Sequence, residues 1–256
     1  MKALWSGNIT FGLVSIPVKL YGAIHRADIS FHFLHKRCST PINYEKHCPT
    51  CNIHLEIEDI VRGYEYEKGK FVILTEDEIE FPYKDFKNIE ILKFVELKDI
   101  DPVYLEKSYY LQPAEGAERA YALLRTVMKK TAKVGVVRFV LRERERIGIL
   151  KIFNDILTIQ SLFYADEIVK PDFLNIPERV HLDEKEIELA EELLRHYIGK
   201  FNINDYKDEY REKLMKIIKS KITGKEIKIA PQKEVEKVVD LMDALKKSLE
   251  RKKKAV

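Results

Sequence analysis

The chain has 256 residues, enough for one large domain or a domain with a helical appendage. Its 45 Lys and Arg nearly balance 42 Asp and Glu, and a net charge of +3 is too small to identify an anionic partner, so distribution must decide. No run approaches the roughly 18 uninterrupted apolar residues that a membrane helix needs, which argues against a membrane protein. The opening MKALWSGNIT has no long apolar signal-peptide core. Three cysteines with a CxxC pair suit metal binding in a reducing compartment better than disulfides, so a soluble cytoplasmic protein is expected.

Trp5–Tyr21, WSGNITFGLVSIPVKLY, suggests two short strands, with Pro17 on an edge or at a bend. The next segment, Phe31–Tyr66, holds all three cysteines, five aromatic side chains and four histidines, and reads as a long extended arm. Phe71–Thr75 and Ile89–Leu97 are strand-like. Between them Thr75 and Glu78 have the spacing of a capping box, which predicts a short helix. Pro113–Thr131 reads as a helix with Ala117, Ala120, Tyr121, Leu124 and Met128 on one face. Gly135–Leu141, Gly148–Phe153 and Leu157–Tyr164 complete a β body that fits a small barrel.

After Pro171 the pattern turns helical. Asp183 and Glu186 open a helix whose stripe is Ile187, Ala190, Leu194, Tyr197 and Ile198. A second stripe runs through Tyr206, Tyr210, Leu214, Ile217 and Ile218, and a third through Val235, Val238, Met242, Leu245 and Leu249. Such helices are not stable alone and need the barrel, each other or a second subunit. The fold class is therefore mainly β with α. The expected division is a core at 1–170 including the arm at about 28–70, a helical dimerisation region at 171–230 and a C-terminal amphipathic helix with a basic tail at 231–256.

Three constellations could carry function. His35 and Cys38 form one knuckle and Cys48 and Cys51 another, a spacing that presents four ligands to a tetrahedral zinc ion. His47 and His54 are alternatives to His35 as the fourth ligand. Nothing beside the cluster resembles the general base of a catalytic zinc, so the ion would be structural. Next, Val134–Arg146 read as one strand aligns Arg138, Arg142, Arg144 and Arg146 on one face, about 6.5–7 Å apart, which suits a line of phosphates. Arg125, Lys129 and Lys133 precede them. The arm adds Lys36, Arg37, Lys46, Arg62, Lys68 and Lys70. An extended leg of about 15 residues reaches roughly 50 Å, far more than the major-groove width of about 12 Å. With no base-reading helix evident, these cations predict phosphate contact that ignores sequence and weakens with salt.

The chain also resembles a known family. WSGNITFGLVSIPVKLY is similar to the opening signature of the prokaryotic Ku family of DNA end-binding proteins. Further landmarks follow in order: the cysteine arm, Gly63-Tyr64-Glu65, Ile100-Asp101-Pro102, Tyr109-Tyr110-Leu111 with Pro113, Ala120–Leu124 and Val238–Leu249. The resemblance implies a β-barrel with a strand-rich bridge and a homodimer that encircles double-stranded DNA ends in non-homologous end joining. It also implies recruitment of an ATP-dependent DNA ligase of the polymerase–ligase type through the C-terminal region, here Val238, Leu241, Met242, Leu245 and Leu249. The long Lys-rich extension of some relatives has no counterpart in this sequence. No P-loop, G-x-S-x-G or H-E-x-x-H is present, so a non-enzymatic protein is expected. The rival readings are a zinc-ribbon transcription or RNA-binding factor and a metal-dependent nuclease or hydrolase.

Overall fold

The computed structural model describes residues 1–80, 87–142, 144–177, 180–224 and 241–253. It divides into two compact units, Met1–Lys170 and Pro171–Val256. The first unit is built on a closed seven-stranded barrel. Its strands are β1 (Trp5–Phe11), β2 (Val14–Gly22), β7 (Asn88–Val95), β8 (Leu105–Pro113), β9 (Val134–Val140), β10 (Glu145–Phe153) and β11 (Ile156–Leu162), in the order β1-β2-β8-β11-β10-β9-β7. Every neighbouring pair is antiparallel except β1 and β7, whose parallel pairing of Asn8–Thr10 with Asn88–Glu90 closes the barrel.

The alternation in β2 makes the construction plain: Ile16, Val18 and Leu20 are buried while the residues between them face out. Pro17 sits within the strand. Its carbonyl accepts from the Ala114 amide at 2.9 Å, so its nitrogen faces the side on which β8 has already ended at Pro113, and no ladder bond is lost. Gly7 is required by a close approach. A Cβ there would lie 2.2 Å from the Lys87 carbonyl and from the Trp5 ring, at the point where β1 meets β7. Gly148 likewise lets β10 pass the Phe139 ring and the Gln160 carbonyl.

Helix α2 (Glu118–Thr131) packs Ala117, Tyr121, Leu124 and Met128 into the same core as Ile9, Leu111, Phe139 and Leu157. These are the residues expected on its inner face. The helix begins later than the sequence pattern suggested, because Pro113 still belongs to β8. The buried Tyr121 hydroxyl donates to the Leu111 carbonyl (2.8 Å) and accepts from the Leu157 amide (2.9 Å), tying the helix to two strands.

The arm leaves after β2 and returns before β7. It contains the two-residue strands β3 (His47–Cys48) and β4 (Ile53–His54), then the hairpin of β5 (Arg62–Glu67) and β6 (Lys70–Leu74). The short helix α1 (Glu76–Glu80) follows, and its expected capping box forms: the Glu78 amide donates to the Thr75 hydroxyl and the Thr75 amide to the Glu78 carboxylate. From Tyr21 through Ile79 no residue is buried.

The second unit holds α3 (Glu184–Arg195), α4 (Glu209–Ile222) and α5 (Leu241–Lys253). The Asp183 capping box forms as expected, but α3 stops at Arg195, which leaves Tyr197 and Ile198 beyond the helix and exposed. Tyr206 lies ahead of α4 for the same reason. Helix α5 packs beside α3. No residue of α3 or α4 is buried. Among the described residues no helix is long and apolar enough to cross a membrane.

Candidate nucleic-acid interface

The expected arginine stripe is not one strand. The chain reverses between β9 and β10, with Arg142 in the turn at a φ of 55°. Arg146 lies opposite Phe139, whose side chain is in the core, so Arg146 faces inward at one end of the barrel. Arg138 lies one residue from Phe139 and faces outward. The reading of Arg138, Arg142, Arg144 and Arg146 as a row of same-face cations is therefore corrected.

Most of these cations already have partners. Arg138 donates to Glu90 (2.6 Å), which raises its pKa. Arg144 pairs with Glu167, whose carboxyl is held below its usual range by the Tyr164 amide and then by Arg144. Arg146 donates to Glu106 (2.7 Å), which also accepts from the buried Ser161 hydroxyl (3.0 Å). Both members of that pair are mostly shielded, with side chains 17% and 16% exposed. Lys133 reaches Glu96 at 2.9 Å, and Lys98 with Lys133 lowers the Glu96 pKa. Arg125 donates to the Asp155 carbonyl and Lys129 to the Asp155 carboxylate, so both clamp the tight turn between β10 and β11. In the arm, Arg62 pairs with Glu76 (3.1 Å) and Lys70 with Glu67.

The remaining five are different. Lys36, Arg37, Lys46, Lys68 and Arg142 are exposed and have no carboxylate partner among the described residues. Lys36 and Arg37 are the two residues between His35 and Cys38, and Lys46 directly precedes β3. Exposed aromatics accompany them, including Phe31, Phe33, Tyr44, Tyr64 and Tyr66. Sequence reasoning missed one basic feature. Arg26, also without a carboxylate partner among the described residues, joins Arg142 and Arg146 around a cleft of about 660 Å³ at the barrel end, beside Tyr109 and Phe163. Arg26 and Arg142 are far apart in the chain and meet only at this cleft, which leaves no local signal.

The cysteines form two pairs. His35 Nδ1 lies 3.0 Å from Cys38 Sγ, and the Cys51 amide donates to Cys48 Sγ at 3.5 Å. Hydrogen bonds from the Thr40 side chain and then His35 hold the Cys38 thiol at about 7, below its ordinary value. The Cys51 and Thr50 amides lower Cys48, and Cys48 in turn raises Cys51. No three His, Cys, Asp or Glu side chains converge as a metal-binding group among the described residues. The four expected ligands are thus present as two halves.

Of the expected partner-binding residues, Val238 lies outside the described residues. Leu249 is only 5% exposed, which withdraws it as a docking side chain, whereas Leu241 is 59% exposed. Met242 and Leu245 are half-buried.

A small closed barrel that carries a coreless, cation-bearing arm defines a β-barrel protein. The family model described as "Ku70/Ku80 beta-barrel domain" matches residues 10–189, and this chain belongs to the Ku family. It is similar to proteins named Non-homologous end joining protein Ku. That of Symbiobacterium thermophilum is 39% identical over 97% of this chain and 63% of its own length. That of Heliobacterium modesticaldum is 38% identical over 98% and 92%. The Archaeoglobus fulgidus protein is 37% identical over 98% of this chain and 99% of itself. The chain thus spans less than two thirds of the first of these and nearly the whole of the last.

Proposed function

We propose that this protein binds double-stranded DNA ends without regard to sequence and acts in non-homologous end joining, as the names of its relatives indicate for them. It works as a non-enzymatic homodimer in the cytoplasm, at the nucleoid. Two copies surround the duplex, their arms contributing Lys36, Arg37 and Lys46 to the phosphates. The observation that carries this reading is the contrast in pairing. Arg138, Arg144 and Arg146 are held by Glu90, Glu167 and Glu106, while Lys36, Arg37 and Lys46 of the arm have no carboxylate partner among the described residues.

The second unit supports the dimer. Phe173, Ile176 and Tyr210 are exposed, and apolar side chains left to solvent call for a cover. A second subunit supplies one, in a twofold arrangement. The helix around Leu241, Met242 and Leu245 recruits an ATP-dependent polymerase–ligase.

The test is a titration of short linear duplexes of unrelated sequence across a salt series, with the mass of the complex measured in parallel. Near-equal affinities, a steep fall with salt and a mass of two chains per duplex are expected. Strong sequence preference, or a stable one-chain complex, contradicts the reading.

A further inference from the structure

The two ends of the barrel differ. Where β1 turns into β2, Phe11 and Val14 line an apolar groove with Leu123, Leu124 and Val127 of α2. At the other end the lining comes from strand termini: Leu4 precedes β1, Gly22 ends β2, Leu105 opens β8, Leu141 follows β9 and Phe163 follows β11. The Ala23 amide donates to the Ser108 carbonyl at 3.0 Å, which keeps the departing chain, with Ile24 and Arg26, beside this mouth. The Arg142 turn is closed by the Leu141 amide, which donates to the Arg144 carbonyl at 3.0 Å.

This cleft is cationic on one side and apolar on the other. Arg26, Lys107, Arg142 and Arg146 line it, against one carboxylate, Glu106, among its described lining. Glu106 is already shared. It accepts from Arg146 and Ser161, and the Lys107 ammonium lies 3.5 Å away. The Arg146 Nε is buried without a hydrogen-bond partner among the described residues, although such groups are nearly always satisfied. Burial raises the Tyr109 pKa, while Arg146 and Arg142 act to lower it, so both guanidinium charges are felt at the floor of the cleft. Leu4, Ile24, Leu141 and Phe163 supply the apolar wall.

We propose that this cleft binds a free small molecule carrying phosphate, a nucleoside diphosphate in class, with its phosphates among Arg26, Arg142 and Arg146 and its base against Ile24 and Phe163. Guanidinium groups donate to phosphate oxygens through a planar fork and also stack on flat rings. Arg146, braced by Glu106, is the fixed donor, and the exposed Arg26 and Arg142 close from the rim. A volume of about 660 Å³ falls within the roughly 300–1,000 Å³ of small-molecule sites. Lys36, Arg37 and Lys46 do not line the cleft, so the inference does not rest on the DNA reading.

The test is equilibrium dialysis of the full chain, free of DNA, against labelled ADP. One ADP per chain should be retained. Pyrophosphate should displace it, and adenosine should do so far more weakly. Arg26→Gln and Arg142→Gln should each weaken retention about 10-fold or more, while Lys130→Gln on α2 leaves it unchanged. Both arginines are exposed, so these variants should keep the wild-type denaturant midpoint, which separates loss of the site from loss of the fold. A DNA terminus is the other source of the same chemical group. A short duplex with 5′-phosphates should displace ADP no better than the same duplex with 5′-hydroxyls. Absence of ADP retention, retention undiminished in both arginine variants, or displacement by adenosine but not pyrophosphate would each overturn the proposal. Preferential displacement by the phosphorylated duplex would overturn it in favour of a DNA terminus.

Discussion

The barrel and the arm belong to one unit of the same chain and solve opposite problems. In the barrel, closure leaves no free sheet edge, and aliphatic side chains fill the interior while Arg138 on the wall and Arg146 at the rim are matched by carboxylates. In the arm, aromatics and cations alike face solvent, and regular structure is limited to short ladders and turns. The difference teaches that positive charge alone does not mark an interface in this protein. On the proposed reading, charge left without a partner does.

That contrast breaks first, and most violently, in the core. Phe139→Ala should cost about 3–5 kcal/mol of barrel stability, read from denaturant midpoints. Tyr121→Phe comes next. It strips a partner from the Leu157 amide and the Leu111 carbonyl, for about 1–3 kcal/mol. Burial also raises the Tyr121 pKa. The neutral phenol is therefore favoured in the folded state, and its contribution is complete below about 10, the unfolded value, and declines as pH rises beyond it. Wild-type protein should lose stability above that pH, and Tyr121→Phe should lose it less steeply, with the similarly shifted Tyr109 accounting for part of the remainder.

Those two residues also mark what sequence could reveal. Tyr121 was legible because helical spacing put it with Leu124 and Met128, and Trp5–Tyr21 was legible as two short strands. Capping boxes announced α1 and α3 through Thr75 and Asp183. The turn between β9 and β10 was not legible, because Leu141, Arg142 and Arg144 carry none of the glycine, proline or asparagine that usually marks a reversal. Missing that turn merged two strands into one and aligned arginines that in fact face opposite sides. The parallel closure of β1 on β7 depends on residues some 80 apart and has no local signature either.

Binding should sharpen the same contrast. Removing Lys36, Arg37 or Lys46 should each flatten the log-affinity against log-salt slope by about 0.9, with little change in stability. Arg138→Ala should change that slope far less, because Glu90 already neutralises the guanidinium. The smallest effect is expected from Phe33→Ala in the arm, within about 0.5 kcal/mol of wild type by denaturant titration. The same aromatic-to-alanine change thus separates the two regions: severe in the barrel, near neutral where the ring already faces water.

The central claim is that two copies enclose a duplex, so that access requires a free end. Competition between linear duplex and the same sequence sealed into a covalently closed circle tests it most directly. The account predicts that linear DNA displaces labelled duplex at low concentration and that sealed circles compete poorly until a restriction enzyme opens them. Equal competition by both forms would contradict it.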